Sequence, residues 1–174
     1  MVCYLDLDGF KPVVNDKYGH AAGDKLLIEI AHRMQKLVRA NDTVGRLGGD
    51  EFVLLLTNLE TTDEYRLVLN RLIEVINAPF AIDISTMVSV GVSIGVMLFP
   101  NVSDDPDILL RHADQAMYQA KNLGLNRICE YLGKSIGFAV SKKWDALRGI
   151  RFGIKVMLFR VNESMFRVGR IRLL

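Results

Sequence analysis

A Gly-Gly pair between two strand-like stretches constrains the fold of this chain more than any other feature. Gly48 and Gly49 stand between 43–47 and 52–56, two short stretches with the pattern of β-strands. Tight hairpin turns need residues that tolerate positive φ, so this pair predicts a β-hairpin. The pair alone could be only a turn. Two features favour a site instead: an Asp-Glu pair follows, where like charges add nothing to a hairpin, and the glycines leave the backbone open to a ligand.

Acidic residues also follow the first apolar strand. Asp6 and Asp8 end the run 1–7, far upstream of Asp50 and Glu51 behind the Gly-Gly turn. Carboxylates gathered at strand and turn ends are typical of a site that binds a metal ion and phosphate groups. For Asp8, a simple turn residue at the strand end is the alternative.

The order of the predicted elements indicates an α+β fold. Apolar residues recur at helical spacing in three stretches, and they alternate or run on in the others. The predicted elements are a strand at 1–7, a helix at 22–40, the hairpin, a helix at 61–77, a strand at 87–99, a helix at 107–122 and a strand at 126–131. The order β-α-β-β-α-β is that of a ferredoxin-like core, a sheet with antiparallel strands and helices on one face.

Charge is divided unevenly along the chain and indicates a domain boundary near Leu132. Residues 132–174 carry ten Lys and Arg against two Asp and Glu, whereas residues 1–131 carry twelve against eighteen. The sequence therefore predicts a domain at 1–131 followed by a basic C-terminal extension at 132–174. We expect the extension to be poorly ordered, and contact with anionic lipid or nucleic acid is the alternative.

Several features favour a cytoplasmic domain. Cys3 and Cys129 are too few for a disulfide framework and indicate a reducing compartment. No charged and apolar leader precedes the first strand, and the longest apolar run, 87–99, is too short and too interrupted to cross a bilayer. A full-length parent protein could still be anchored in a membrane.

Five ordered motifs give about residues 2–131 a resemblance to the GGDEF domain of bacterial diguanylate cyclases. They read LDLDGFK at 5–11, ND, GH and GD at 15–16, 19–20 and 23–24, RLGGDEF at 46–52, VSIG at 92–95 and ADQAMYQAK at 113–121. The resemblance implies a fold like that of nucleotidyl cyclase and polymerase palm domains. It also implies an enzyme that joins two GTP molecules into cyclic di-GMP and releases two pyrophosphates. Attack of a 3′-hydroxyl on an α-phosphate calls for two divalent cations, Mg²⁺ or Mn²⁺, held by carboxylates.

The same resemblance assigns roles to individual residues. The implied metal ligands are Asp6, the backbone carbonyl of Leu7, and Asp50. The implied catalytic residues are Asp50, which helps to deprotonate the hydroxyl, Glu51, which orients the site, and Lys11, which neutralises the triphosphate. The implied substrate-binding residues are Asn15 and Asp24 at the guanine edge, Gly48 and Gly49 at the turn, Lys121 at the triphosphate, and His20. Structural alternatives exist for three of them, because Asp24 could cap a helix, Lys121 could stabilise a helix end, and a histidine at a helix start is more often structural.

A further pattern lies just ahead of the hairpin. Arg39 and Asp42 form an RxxD sequence that resembles the family's product-inhibition site, where cyclic di-GMP binds and stops catalysis. Arginine suits two-point recognition of phosphate or of the guanine edge. A helix-end cation followed by a turn aspartate is the alternative.

The sequence departs from the family's pattern in three places. One extra residue stands between Lys11 and Asp16, and in a helix one added residue rotates every later side chain by roughly 100° about the axis. Asn15 would then be misdirected unless a bulge absorbs the insertion. Leu125 stands where a basic or small residue commonly follows Gly124, and the helix that usually precedes the first strand is expected to be absent.

The resemblance finally implies partners. Catalysis would need an antiparallel homodimer with one GTP in each half, and the full-length protein would carry an upstream sensory domain, with no nucleic-acid partner. The alternative to a working cyclase is a catalytically impaired GGDEF module that binds GTP or cyclic di-GMP as a sensor.

Overall fold

The computed structural model describes residues 1–59, 61–99 and 105–133, together with the strands at 155–159 and 167–170. A π-helical turn, Lys11–Asn15, precedes four helices: α1 (Asp16–Tyr18), α2 (His20–Leu37), α3 (Thr62–Asn77) and α4 (Pro106–Asn122). The strands are β1 (Val2–Asp8), β2 (Thr43–Gly48), β3 (Glu51–Leu55), β4 (Phe80–Ala81), β5 (Met87–Val88), β6 (Gly91–Met97), β7 (Ile128–Glu130), β8 (Lys155–Phe159) and β9 (Arg167–Arg170). The predicted α+β fold with a ferredoxin-like core is confirmed.

β1 lies at the centre of the main sheet. It pairs antiparallel with β3 on one side and with β6 on the other, and β7 extends the sheet parallel to β6. β2 and β3 form the predicted hairpin, and β8 pairs with the outer side of β2. Because β1 is antiparallel to both neighbours, its C-terminal end meets the first residues of β3 and of β6. The acidic end of β1 is therefore placed beside the Gly-Gly turn.

Helices pack on both faces of this sheet, and the expectation of helices on one face is wrong. Cys3, Leu5 and Leu7 belong to a buried cluster with α2 and α3, whereas Tyr4 belongs to a second buried cluster with α4. Successive side chains of a strand point to opposite faces, so a strand covered on both sides is apolar throughout. The unbroken apolar run at 1–5 carried this signal.

α4 approaches the sheet closely at Gly95 of β6. A Cβ atom at Gly95 would stand 1.9 Å from the carbonyl oxygen of Ala113 and 2.1 Å from the amide nitrogen of Met117. Only a residue without a side chain fits there, because the backbone of α4 fills the space. This contact sets the height of α4 above the sheet, and with it the position of Lys121 in the last turn of the helix.

Most of the predicted basic extension lies outside the described residues. Its boundary near Leu132 and its predicted lack of order therefore stay predictions. Within the described part of the chain, no helix is long and apolar enough to span a membrane.

Candidate active site

The tip of the β2–β3 hairpin lies against the end of β1. Asp6 stands opposite Glu51 in the register of the two strands, and the backbone N–H of Leu7 donates to the carbonyl oxygen of Asp50 at 3.2 Å. The residues expected to hold metal ions, Asp6, Leu7 and Asp50, are therefore neighbours. Glu51, expected to orient the site, lies with them.

The Gly-Gly turn is open at this tip. Gly49 has a φ of 53°, in the left-handed region that glycine adopts without strain. A Cβ atom at Gly48 or Gly49 would meet nothing within 4 Å. The guanidinium Nε of Arg46 donates to the carbonyl oxygen of Gly49 at 2.9 Å and ties the turn to β2. A ligand can therefore approach a backbone that is already held in place.

Lys121 reaches the tip from the last turn of α4. Its Nζ lies 2.6 Å from Oδ1 of Asp6, and the two side chains are 31% and 14% exposed. Burial raises the pKa of the Asp6 carboxyl to about 6, Lys121 opposes that rise, and the charges of Asp50 and Glu51 add to it. One ammonium group thus pairs with Asp6 in a partly buried place where the charges of two further carboxylates also act, which favours the binding of further positive charge.

The donor set suits a hard divalent cation. Mg²⁺ takes oxygen ligands and, in sites that bind phosphates, combines one or two carboxylates with phosphate oxygens and water. Asp6 and Asp50 offer the carboxylates, and the pairing of β1 with β3 ends at Asp6, which leaves the Leu7 carbonyl at the hairpin tip. Among the described residues, no group of three or more His, Cys, Asp and Glu side chains could hold a metal ion. Backbone and substrate oxygens would therefore have to complete the coordination.

The extra residue between Lys11 and Asp16 is absorbed by a π-helical turn. The turn is closed by a hydrogen bond from the backbone N–H of Asp16 to the carbonyl oxygen of Lys11. A π turn joins residues five apart, whereas an α turn joins residues four apart, so it takes up one more residue. Phe10 and Val14 remain in the core on either side of the insertion. The bulge that the sequence required is present in this form.

Asn15 consequently stays in contact with α2. A Cβ atom at Gly23 would stand 2.0 Å from Oδ1 of Asn15, so the amide group occupies the space that Gly23 leaves. This oxygen is buried and accepts no hydrogen bond. Buried polar atoms normally have a partner, and an exception calls for an explanation such as a ligand. Asn15 therefore stays beside Gly23, the neighbour of Asp24, despite the insertion.

Three more residues with expected roles at the substrate lie on the π turn and on α2. Lys11, His20 and Asp24 are all exposed. His20 is the first residue of α2, and Gly19, with a φ of 82°, is its N-cap. Asp24 lies one turn further on, so its alternative role as the cap of this helix is wrong.

Buried polar groups beside the tip were not predicted from the sequence. The hydroxyl of Tyr4, a residue only 2% exposed, hydrogen-bonds to Glu51, and burial, with the charges of Glu51 and Asp114, raises the pKa of Tyr4. Ser93 and Asp114 are also buried. Both fall within the VSIG and ADQAMYQAK motifs, but a tyrosine in an apolar strand gives no signal of a polar role.

Arg39 and Asp42 lie at the opposite end of the β2–β3 hairpin. The two oxygens of Asp42 accept hydrogen bonds from the backbone N–H groups of Arg39 and Thr57, each at 2.9 Å. The Arg39 side chain is 62% exposed and pairs with Glu64, at the start of α3, at 2.5 Å. The structure therefore keeps this pair together and separates it from the hairpin tip.

Comparison with known proteins fits this arrangement. Residues 1–127 match the family model described as diguanylate cyclase, GGDEF domain. The chain belongs to the GGDEF domain family. Over 128 residues this GGDEF domain is 47% identical to the bifunctional diguanylate cyclase/cyclic di-GMP phosphodiesterase MucR of Pseudomonas aeruginosa, a match that covers 74% of this chain and 18% of MucR. It is 40% identical over 131 residues to the diguanylate cyclase TpbB of the same species, which covers 74% of this chain and 30% of TpbB.

Solved GGDEF domains have the same fold. The crystal structure of the GGDEF domain of TpbB is similar to this one with a TM-score of 0.72 and 38% identity, covering 76% of this chain and 82% of that one. The GGDEF domain of DgcB from Caulobacter crescentus, solved in complex with c-di-GMP, gives a TM-score of 0.66 and 25% identity, covering 75% and 76%. This chain spans less than a third of the length of MucR and of TpbB.

Proposed function

We propose that this GGDEF domain is a diguanylate cyclase, which condenses two GTP molecules into cyclic di-GMP and two pyrophosphates. The observation that carries the proposal is the convergence of Asp6, Asp50, Glu51 and Lys121 at the hairpin tip. Segments far apart in the sequence contribute these charges. Acidic metal ligands and a cation near the phosphates are the parts that phosphoryl transfer requires.

In the proposed reaction, the 3′-hydroxyl oxygen of one GTP attacks the α-phosphorus of the other. The new P–O bond forms while the bond to the bridging oxygen breaks, and pyrophosphate leaves with that electron pair. Asp50 is the candidate to accept the hydroxyl proton. The same attack in the reverse sense closes the ring. Two Mg²⁺ or Mn²⁺ ions held by Asp6, Asp50 and the Leu7 carbonyl would supply electrostatic stabilisation of the charge on the reacting oxygens.

Two lysines suit the triphosphate. Lys11 is exposed at the start of the π turn, and Lys121 lies at the tip, where it forms an ion pair with Asp6. A lysine ammonium group binds phosphate as a point charge and needs no fixed plane. Lys121 would exchange Asp6 for phosphate oxygens when substrate is bound. The open turn at Gly48 and Gly49 leaves room for those phosphates.

The guanine edge is proposed to bind where the π turn meets α2. The unpartnered amide oxygen of Asn15 is an acceptor for the N–H groups of guanine, and Asp24 offers a second acceptor nearby. Adenine does not present the same pair of donors, so these acceptors favour GTP over ATP. His20, exposed at the start of α2, is proposed as a lesser contact.

The proposed working form is a homodimer, because each half of the product comes from a GTP held by a separate domain. In a full-length protein, an upstream sensory domain would control how two copies meet. We further propose that cyclic di-GMP binds at Arg39 and Asp42 and inhibits the enzyme. The exposed guanidinium group of Arg39 supports this assignment. If catalysis is impaired, the same residues would make the domain a cyclic di-GMP sensor.

Product analysis tests the proposal. The purified chain at high concentration is incubated with GTP and Mg²⁺ or Mn²⁺, and products are separated by chromatography beside an Asp50→Ala variant. Cyclic di-GMP from the parent and none from the variant would support a cyclase. No product with either metal would overturn it, and titration of the parent and of Arg39→Ala with labelled cyclic di-GMP would then test the sensor.

A further inference from the structure

The second carboxylate of the LDLD run is engaged in a buried hydrogen-bond cluster. Asp8 is 9% exposed, and its Oδ1 accepts from the hydroxyl of Ser93 at 2.8 Å. Its Oδ2 accepts from the backbone N–H of Asn126 at 2.8 Å and lies 2.9 Å from the Ser93 hydroxyl. A buried carboxylate bonded through both oxygens is a satisfied internal anion, unlike Asp6, whose partner is a single lysine.

Asn126 lies in the short loop between α4, which ends at Asn122, and β7, which begins at Ile128. Within this loop the N–H of Gly124 donates to the carbonyl oxygen of Lys121 at 3.3 Å. Gly124, Leu125 and Asn126 have φ values of 121°, 61° and 49°. Positive φ is unfavourable for residues with side chains, and two of them in succession persist only where surrounding contacts hold them.

Contacts from two strands hold this loop. Besides the bond from its N–H to Asp8, Asn126 accepts through Oδ1 from the backbone N–H of Val92 at 3.2 Å. The fit is tight at Gly91, where a Cβ atom would stand 3.2 Å from Oδ2 of Asp8 and 3.3 Å from Oδ1 of Asn126. The strained conformation is therefore fixed by Asp8 of β1 together with the first residues of β6.

β1 thus contacts both the last turn of α4 and the loop that follows this helix. Asp6 binds the side chain of Lys121, and two residues later Asp8 binds the backbone of Asn126. We infer that Asp8, supported by Ser93, is a positioning residue that fixes the end of α4 so that Lys121 meets the triphosphate at the hairpin tip. This inference rests on the proposed function, because Lys121 is a substrate-binding residue only in that proposal.

The expected consequence is a loss of nucleotide binding that passes through Lys121. Lys121 lies in the last turn of α4, so its ammonium group is displaced when that end of the helix moves. Small displacements of binding groups have large effects on a reacting site. Asp8→Asn removes the charge and one of the two acceptor oxygens but keeps the size of the side chain, so the Asn126 N–H is left with a neutral acceptor at most. The anchor of the loop would then be weaker while Lys121 itself remains.

The experiment is a double-mutant cycle on nucleotide affinity. The probe is the α,β-methylene analogue of GTP, which cannot release pyrophosphate, titrated calorimetrically in the presence of Mn²⁺. Asp8→Asn is expected to bind it about tenfold more weakly than the parent. In a Lys121→Ala background, the same substitution is expected to add less than about twofold, because residues that act through one group are not additive.

A second readout separates positioning from metal ligation. Mn²⁺ affinity without nucleotide, measured by electron paramagnetic resonance, is expected to change less than about twofold in Asp8→Asn and to fall far more in Asp6→Asn. Asp83→Asn is the matched control, since Asp83 also accepts from a serine hydroxyl and from backbone N–H groups, in the turn between β4 and β5. It is expected to leave both affinities unchanged.

Each outcome decides a separate point. Additive losses in the double variant, or unchanged nucleotide affinity in Asp8→Asn, would overturn the inference. Mn²⁺ affinity reduced as strongly in Asp8→Asn as in Asp6→Asn would make Asp8 a ligand instead. If Asp8→Asn does not fold, Ser93→Ala replaces it, with a smaller loss that must vanish in the Lys121→Ala background. A parent chain that does not bind the analogue would refute the proposed function, and the inference with it.

Discussion

The two ends of the β2–β3 hairpin carry charged residues in opposite ways. At the tip, Asp6 is largely buried and is neutralised by the side chain of Lys121. At the other end, Asp42 is held by two backbone N–H groups, and Arg39 lies exposed beside Glu64. A side-chain ion pair can exchange partners, whereas hydrogen bonds from the backbone keep their geometry as long as the fold persists.

This difference separates a site suited to reaction from a site suited to recognition. The tip carries more carboxylates than ammonium groups, so binding of a cation there reduces the repulsion between them. Lys121 could then leave Asp6 and pair with a phosphate group. The other end offers one arginine in a fixed frame, which suits reversible binding of an anion. Substitutions at each end can test whether the two ends are as independent as this comparison requires.

The largest expected effect is loss of catalysis on changing the tip. Asp6→Asn keeps the side-chain size but removes a carboxylate that the proposed metal ions and Lys121 both need. The rate of cyclic di-GMP formation is expected to fall by about 1,000-fold, a size typical for the loss of one electrostatic group at a reacting centre. Binding of labelled cyclic di-GMP at Arg39 is expected to persist. A variant that keeps a tenth of the parent rate would contradict this role for Asp6.

A change at Gly95 tests whether α4 can move away from the sheet without loss of stability. Gly95→Ala places a Cβ atom 1.9 Å from a backbone oxygen of α4, so the helix must move away. We expect a loss of about 3 kcal/mol in the free energy of unfolding, measured with urea, as for severe overpacking. Gly48→Ala, which meets nothing within 4 Å, is the control and should cost less than about 1 kcal/mol. A Gly95→Ala protein as stable as the control would show that α4 can shift freely.

The fold, and the residues that meet at the hairpin tip, could be predicted from the sequence because its motifs mark strand ends and turns directly. The residue pattern alone does not separate Asp6 from Asp8, since both lie on one strand and only the position of α4 decides which one meets Lys121; the metal role of Asp6 came from the family resemblance. The sequence required a bulge near Val14 but not its form, because a π turn depends on which carbonyl the Asp16 N–H reaches. The Arg39–Glu64 pair joins residues 25 apart and follows from tertiary packing.

The proposed guanine contact at Asn15 offers a test away from the hairpin. In Gly23→Ala the new methyl group would occupy the place of Oδ1 of Asn15, 2.0 Å away, and displace the amide. Affinity for the α,β-methylene analogue of GTP is expected to fall about tenfold, since a pocket that loses its polar partner discriminates poorly. Alanine favours a helix over glycine by about 1 kcal/mol, which offsets part of the cost of displacing the Asn15 amide and of crowding Phe10, 3.2 Å from the new Cβ atom, and urea unfolding measures the balance. Unchanged analogue affinity, or an equal loss of affinity for inorganic triphosphate, would argue against a guanine contact at Asn15.

The charge balance at the tip can be measured without metal ions. Lys121→Met keeps the length of the side chain and removes the cation that opposes the rise in the pKa of Asp6. The pKa of Asp6, followed by carboxyl ¹³C shifts in EDTA, is expected to be about 6 in the parent and higher in the variant. Lys17→Met, at a lysine that lies over the Tyr18 ring, is the control.

The sign of the linked change in stability follows from the raised pKa. A carboxyl whose pKa is higher in the folded protein stabilises the fold when protonated, so its contribution is complete below 3.8 and is lost as pH rises through about 6. In Lys121→Met the loss should extend to higher pH and be larger at pH 8, as measured by urea unfolding across this range. The same pH dependence in the variant and the parent would mean that Lys121 does not neutralise Asp6 in solution.

The smallest expected effect concerns the recognition end, where Glu64 competes for Arg39. Any anion that binds Arg39 must replace this carboxylate, so Glu64→Gln should strengthen binding of cyclic di-GMP. Exposed ion pairs contribute up to about 1 kcal/mol, which corresponds to a gain of about two- to fivefold. Glutamine keeps the ability of a helix-start residue to bond back to the cap, so α3 should not fray.

Glu29→Gln, which removes the ion-pair partner of Arg33 on α2, is the matched control and should leave the affinity for cyclic di-GMP unchanged. A weaker affinity in Glu64→Gln would mean that Glu64 holds Arg39 in its binding orientation, and the recognition end would then depend on a side-chain ion pair as the tip does.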